Sequence, residues 1–229
     1  MKNLLWVLGL WWLASCSKAN TTTMRSKTIA TPIYTYLALG DSYTIGERVT
    51  TEDRFPIQLQ ERLKVDDIHC QTTIIAQTGW TTGNLIDKLN QVDLKDTFDV
   101  LTLLIGVNNL YRHNSLITYE QELDTLLERS IRLVGGEPQK VLVASIPDYG
   151  YTPVGISDQA AISRATDKFN TVKKRLTLQK GAIWIDITPI SRQAMAEPNL
   201  LAADGLHPSG RMYRKWVDKL YPLAKNILE

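Results

Sequence analysis

The sequence predicts an α/β domain built on a five-stranded parallel sheet with helices on both faces. Two observations predict it. From Tyr34 onward, short apolar runs rich in Ile, Val and Leu alternate with longer amphipathic runs. Such strand–helix alternation implies parallel strands joined by right-handed crossovers. The short runs are also nearly continuous, not apolar at every second residue, which suits strands covered on both faces. With 229 residues, 44% hydrophobic and 22% charged, the chain suffices for one sizeable domain and a short appendage. No internal repeat or second domain is visible.

The appendage comes first. Met1-Lys2-Asn3 is a short basic start, and Leu4 to Leu13 is an apolar run. That run is too short to span a bilayer, which needs about 20 apolar residues, and it reads as an export signal over residues 1–15. It ends Leu13-Ala14-Ser15-Cys16, which resembles the lipobox of bacterial lipoproteins, whose Cys becomes the lipid-modified first residue after cleavage. The alternatives are an ordinary cleaved secretion signal or a buried apolar segment. The lipoprotein reading implies an exported protein held on a bacterial membrane through Cys16. Because Ser17 is not Asp, nothing argues for retention at an inner membrane if the cell has two. Residues 16–31 are polar and Thr-rich and read as a tether. Its last 14 or so residues would have a root-mean-square reach of roughly 20 Å.

The domain proper is expected over residues 32–229. Its strands are expected at Tyr34–Leu39, Thr72–Gln77, Val100–Ile105, Val141–Ile146 and Ile183–Ile187. Helices are expected at Phe55–Lys64, Thr82–Val92, Tyr119–Val134, Gln159–Leu178 and Ser209–Leu220. Leu123, Leu126, Leu127 and Ile131 give the third helix its apolar stripe, and Gly135-Gly136 with Pro138 ends it. Ile187–Ala203, with Pro189 and Pro198, reads as a loop with room for one short helix.

Composition excludes several functions. The formal net charge is +2, or +1 without residues 1–15, whose one charged side chain is Lys2. No basic cluster with interleaved aromatics is present, so no nucleic-acid partner is expected. The two cysteines and three histidines have no zinc-like spacing, and no metal or other cofactor is expected. With Cys16 acylated, Cys70 is left without a partner and is expected to pack as a small hydrophobe near a strand.

The candidate chemistry sits at strand ends. The first strand runs into Gly40-Asp41-Ser42, which places Ser42 at the carboxyl lip of the sheet, where open α/β sheets bind ligands. A serine there is a candidate nucleophile, but it needs a base, a group orienting that base, and oxyanion donors. The second strand ends at Gly79-Trp80, and the glycine offers an unobstructed backbone N–H, though alone it is an ordinary turn glycine. The third ends Gly106-Val107-Asn108-Asn109, where the Asn108 amide could face the same cleft. Near the C-terminus, Asp204-Gly205-Leu206-His207-Pro208 sets a carboxylate and an imidazole three residues apart in a tight turn. The carboxylate could orient the ring and leave its other nitrogen for the serine. The bland alternative is a turn that only delivers Ser209 as a helix N-cap.

These four blocks, in this order over Leu37 to His207, resemble the SGNH/GDSL hydrolase superfamily, esterases and lipases with a three-layer flavodoxin-like fold. The resemblance implies that Ser42 is the nucleophile, His207 the general base and then acid, and Asp204 the group that orients His207. It implies an oxyanion hole made of the Ser42 and Gly79 backbone N–H groups and the Asn108 side-chain amide. Where the family often has Asp, this chain has Asn109, which puts the local hydrogen bonding in question. No Gly-x-Ser-x-Gly surrounds Ser42, so the nucleophile elbow of α/β-hydrolases is absent.

Trp80, Tyr111 and the loop Ile146–Tyr151, with Tyr149, follow strand ends and should rim the cleft. Either these aromatics meet a sugar or a short acyl chain, or they only pack. A short-acyl esterase, such as a carbohydrate O-deacetylase, is favoured by the aromatics and the surface anchor. A lipase, lysophospholipase or thioesterase would need an extended apolar groove, and no long lid is visible to supply one. A non-catalytic surface binding lipoprotein is opposed by the intact Ser42, Asp204 and His207.

Overall fold

The computed structural model describes residues 33–94 and 97–229. The leader, Cys16 and the tether lie outside the described residues. Strands β1 (Ile33–Gly40), β2 (His69–Ala76), β3 (Val100–Leu104), β4 (Val141–Ala144) and β5 (Ile183–Ile185) form one parallel sheet in the order β2-β1-β3-β4-β5. The helices are α1 (Ser42–Ile45), α2 (Phe55–Lys64), α3 (Thr82–Gln91), α4 (Val107–Tyr111), α5 (Leu116–Leu133), α6 (Gln159–Gln179), α7 (Thr188–Ser191) and α8 (Gly210–Leu228).

The chain leaves β1 for β2 in one direction, then crosses back over β1 to reach β3. Right-handed crossovers therefore put α2 on one face and α3, α5 and α6 on the other. Accordingly α2 packs against α8, and α5 packs against both α3 and α6. The winding reverses between the carboxyl ends of β1 and β3, which is the switch point where such sheets bind ligands.

All of β3 and β4, and the last five residues of β1, are buried, as near-continuous apolar runs require. The edge strand β2 departs from that expectation. None of its residues is fully buried, and Gln71 and Thr73 are exposed. It also begins at His69, three residues before the expected start, because His69, Cys70 and Gln71 pair with Ile33, Tyr34 and Thr35. An edge tolerates such polar positions since one flank faces no strand. Cys70 packs there against the core, and burial with the nearby Asp99 pushes its thiol up to about 11, so it behaves as a small hydrophobe.

Two helices also extend past their expected ends. α5 starts at Leu116 because the Ser115 hydroxyl accepts the Thr118 N–H at 3.0 Å and caps the helix. α8 continues through Pro222 to Leu228, eight residues beyond the expected end. Met212, Tyr213, Trp216, Val217, Leu220, Ala224 and Leu228 form one buried stripe along it. Burying Leu228 contributes ~1.5–3 kcal/mol, of the same order as the ~3 kcal/mol cost of an internal proline.

Candidate active site

The first block is built on a close approach. A Cβ at Gly40 would lie 2.0 Å from Thr44 Oγ1 and 2.3 Å from the Leu104 carbonyl oxygen, so the strand can turn there only as glycine. Asp41 then caps the single turn α1, its Oδ1 accepting the Tyr43 N–H at 3.0 Å. Ser42 is the first residue of that turn, a position whose N–H has no intrahelical acceptor. Gly46 closes the turn at φ +71°.

The second and third blocks are lashed together. Gly79 sits at φ +79°, and its carbonyl accepts Arg112 Nη2 at 2.7 Å. The Trp80 carbonyl accepts Asn108 Nδ2 at 3.0 Å. That uses one of the two amide hydrogens of Asn108 and leaves the other for a ligand. Asn109, fully buried, accepts the Thr82 N–H on Oδ1 at 3.0 Å and donates from Nδ2 to Thr82 Oγ1 at 2.6 Å. Thr82 Oγ1 in turn donates to Glu122 Oε2 on α5. This answers the question raised by Asn109. An aspartate there could only accept, and would receive the Thr82 O–H hydrogen bond itself. The amide instead donates to that oxygen, and Glu122 supplies the terminal carboxylate.

The last block forms the pair its spacing suggests. His207 Nδ1 lies 2.6 Å from Asp204 Oδ2, while the Leu206 and His207 backbone N–H groups both donate to Asp204 Oδ1 at 3.0 Å. Partial burial pushes the Asp204 carboxyl up, but the His207 ring and the two N–H groups outweigh it and hold the group below its ordinary range. An ionised carboxylate only accepts, so Nδ1 carries the hydrogen and a neutral imidazole presents a bare Nε2. The Tyr43 ring backs the imidazole, centroids 5.3 Å apart. Arg48 Nε approaches Asp204 Oδ2 at 3.9 Å from the solvent side.

Ser42, Gly79, Asn108, Tyr111, Tyr149 and His207 all line one cleft of about 220 Å³, with Asp204 behind His207. Trp80, expected at the rim, instead lines an open groove between β2 and α3. The turn at Gly79 directs the Trp80 carbonyl, not its ring, toward the site. Tyr149 is fixed by its neighbour Asp148, which is fully buried, caps Gly150 N–H at 2.9 Å and pairs with Arg192 Nε at 2.9 Å. Tyr111 and Tyr149 meet edge to face at 5.8 Å and also line a second groove of about 660 Å³, floored by Leu110, Ala161, Ile162 and Ala165. No lid makes this groove. It comes from the first turns of α6, where Ala161, Ile162 and Ala165 carry no signal in the sequence beyond that of a plain helix. Tyr43, Thr78, Val107 and Leu206 also line the cleft without having been singled out. Each adjoins a motif residue, and that adjacency was the available signal.

The profile of the GDSL-like Lipase/Acylhydrolase family matches residues 38–215. The chain belongs to this family. It is accordingly a carboxylic ester hydrolase of the GDSL type with the SGNH hydrolase fold. No curated protein matches it. Among solved structures, TesA is 18% identical with a TM-score of 0.66, over 85% of this chain and 99% of that one. Axe2, an acetylxylan esterase from Geobacillus stearothermophilus, is 18% identical with a TM-score of 0.67, over 83% and 94%. The psychrotrophic esterase EstA from Pseudoalteromonas sp. is 17% identical with a TM-score of 0.64, over 84% and 97%. At these identities the GDSL hydrolase shares their fold.

Proposed function

We propose that this hydrolase cleaves short-chain, acetyl-like esters through an acyl-enzyme on Ser42. The observation that carries the reading is the convergence of Ser42, Gly79, Asn108 and His207 on one cleft, with Asp204 bonded to the far side of the imidazole. Ser42 Oγ attacks the ester carbonyl carbon as its proton passes to His207 Nε2. The carbonyl oxygen becomes an oxyanion held by the Ser42 and Gly79 N–H groups and the Asn108 amide. The intermediate collapses, the C–O bond to the alcohol breaks, and His207 returns the proton to the leaving oxygen. Water then attacks the acyl-enzyme, giving its proton to His207, and Ser42 regains it as the acid departs. Asp204 stabilises the imidazolium formed in each half.

The small cleft supports a short acyl group, and the tyrosines could meet a sugar on the alcohol side. The second groove favours a different reading, in which a longer acyl chain passes Tyr111 and Tyr149, as a lysophospholipase, lipase or thioesterase would require. Hydrolysis of p-nitrophenyl esters from C2 to C12 separates the two. Activity confined to C2–C4, with Ser42 labelled by a phosphonate probe, is the expected result. Rates that rise toward C8–C12 would transfer the proposal to lipid or thioester substrates.

We also infer export and anchoring through a lipid on Cys16, on the strength of Leu13-Ala14-Ser15-Cys16 directly after an apolar run. In a bacterial host, wild-type protein should incorporate labelled palmitate and sediment with membranes, and Cys16→Ala should do neither. Equal membrane association of the two would sink the anchor.

A further inference from the structure

Lys173 lies within α6 with its side chain fully buried, and nothing in the acyl-transfer scheme uses it. Lysine is almost never fully buried unless it is paired, so its surroundings call for an account. Its Nζ donates to the Ile105 carbonyl at 2.9 Å. Ile105 follows the last residue of β3 and precedes Gly106, where a φ of +121° begins the turn into α4 and Asn108. In the sheet Gly40 pairs with Leu104, so Asp41 and Ile105 are the next residues along two neighbouring strands, both at the switch point. Asp41 is buried as well. Its Oδ1 caps Tyr43, and its Oδ2 has no hydrogen-bond partner. Burial pushes the Asp41 carboxyl up to about 7, against the pull of the Tyr43 N–H and of Lys173. Burial likewise pushes the Lys173 ammonium down to about 7, against the pull of Asp41.

α4 needs an external anchor. It has only five residues, and its N-cap, Gly106, makes no side-chain cap. The bonds of Asn109 to Thr82 hold its side, and how the Ile105–Gly106 peptide is held sets where it begins and so how it presents Asn108.

We propose that Lys173 is a positioning residue for the oxyanion hole, a buried amine that fixes the root of the Asn108 turn through its hydrogen bond to the Ile105 carbonyl. It acts on the spacing between nucleophile and donors, not on the substrate. The inference rests on the Ser42 reading above.

The test uses the full chain and p-nitrophenyl acetate. Lys173→Met keeps the chain length and removes the charge. It should lower kcat by about 10²-fold, the cost of a misplacement of roughly an ångström, with KM little changed. In an Asn108→Ala background the same substitution should cost little more, because the donor it positions is already gone. An unchanged kcat, or full additivity with Asn108→Ala, would overturn the proposal. Lys173→Met also removes a positive charge whose pull favours the ionised form of the buried Asp41, which can itself weaken folding. Asp41→Asn with Lys173→Met removes both charges and keeps an oxygen to cap Tyr43. This double variant should fold with a near-wild-type melting temperature and remain slow. Wild-type kcat in the double variant would mean that Lys173 merely neutralises Asp41, and would overturn the proposal. Ser42→Ala runs alongside: turnover surviving there would sink the Ser42 reading itself, a separate failure.

Discussion

Replacing Ser42 by alanine should lower turnover of a short p-nitrophenyl ester by about 10⁶-fold and leave the melting temperature near that of the wild type. Both halves follow from where the residue sits. Ser42 opens α1, but the cap of that turn is the Asp41 carboxylate, so alanine removes the proposed nucleophile without removing a structural bond. His207→Ala should cost about as much, and the double variant no more than either single change, because the proposed nucleophile and base would act as one unit. Asp204→Asn should fall by about 10⁴-fold, since an amide there no longer fixes the tautomer with the hydrogen on Nδ1. Asn108→Ala should lose only about 10²–10³-fold, the price of one oxyanion donor among three. Steady-state kinetics on purified variants rank the four. A Ser42→Ala enzyme no slower than Asn108→Ala would mean that the ester is cleaved without attack by this hydroxyl.

The placement behind that ranking, Ser42 and His207 on one cleft with Asp204 against the imidazole, was largely legible in the sequence for a physical reason. A buried parallel strand must end in turn chemistry, so an apolar run followed by Gly40-Asp41-Ser42 marks a strand end and a ligand-facing position together. Asp204 and His207 were legible because a tight turn brings residues three apart into contact. What could not be read depends on the assembled fold. The early start of β2 needs its partner Ile33–Thr35. The passage of α8 through Pro222 needs the surface that buries Ala224 and Leu228. Short helices such as α1 and α4 have too few residues to show a period. Lys173 looked like any polar position on a long helix, and only the sheet shows that its ammonium reaches the end of β3. Trp80 was misplaced because a strand end fixes where the backbone lies, whereas the φ of +79° at Gly79 decides which way its neighbour points.

Gly40→Ala is the second large effect, and it acts through the scaffold. The new Cβ would meet Thr44 Oγ1 at 2.0 Å and the Leu104 carbonyl oxygen at 2.3 Å. The φ of Gly40 lies outside the left-handed region, so the cost is steric, not torsional. Rotation can move the Thr44 hydroxyl away but not its Cβ, which lies 2.8 Å from the new methyl. The Leu104 oxygen belongs to the backbone of the fully buried β3 and can retreat only if β1 and β3 part at the switch point. Overpacking of this kind costs about 3 kcal/mol, which lowers the melting temperature by roughly 6–12 °C in a domain of this size. Parting the strands also moves Ser42 relative to Asn108, so the surviving folded enzyme should be slower by about 10²-fold. Thermal melts and kinetics on Gly40→Ala, and on Gly40→Ala with Thr44→Gly, each compared with the matching Thr44 background, distinguish the two contacts. If Leu104 is the barrier, trimming Thr44 restores little of either quantity. Full recovery in the double variant would show instead that the glycine is required only to make room for the Thr44 side chain. The spacing of nucleophile and oxyanion donor would then not depend on the approach of β1 to the Leu104 carbonyl.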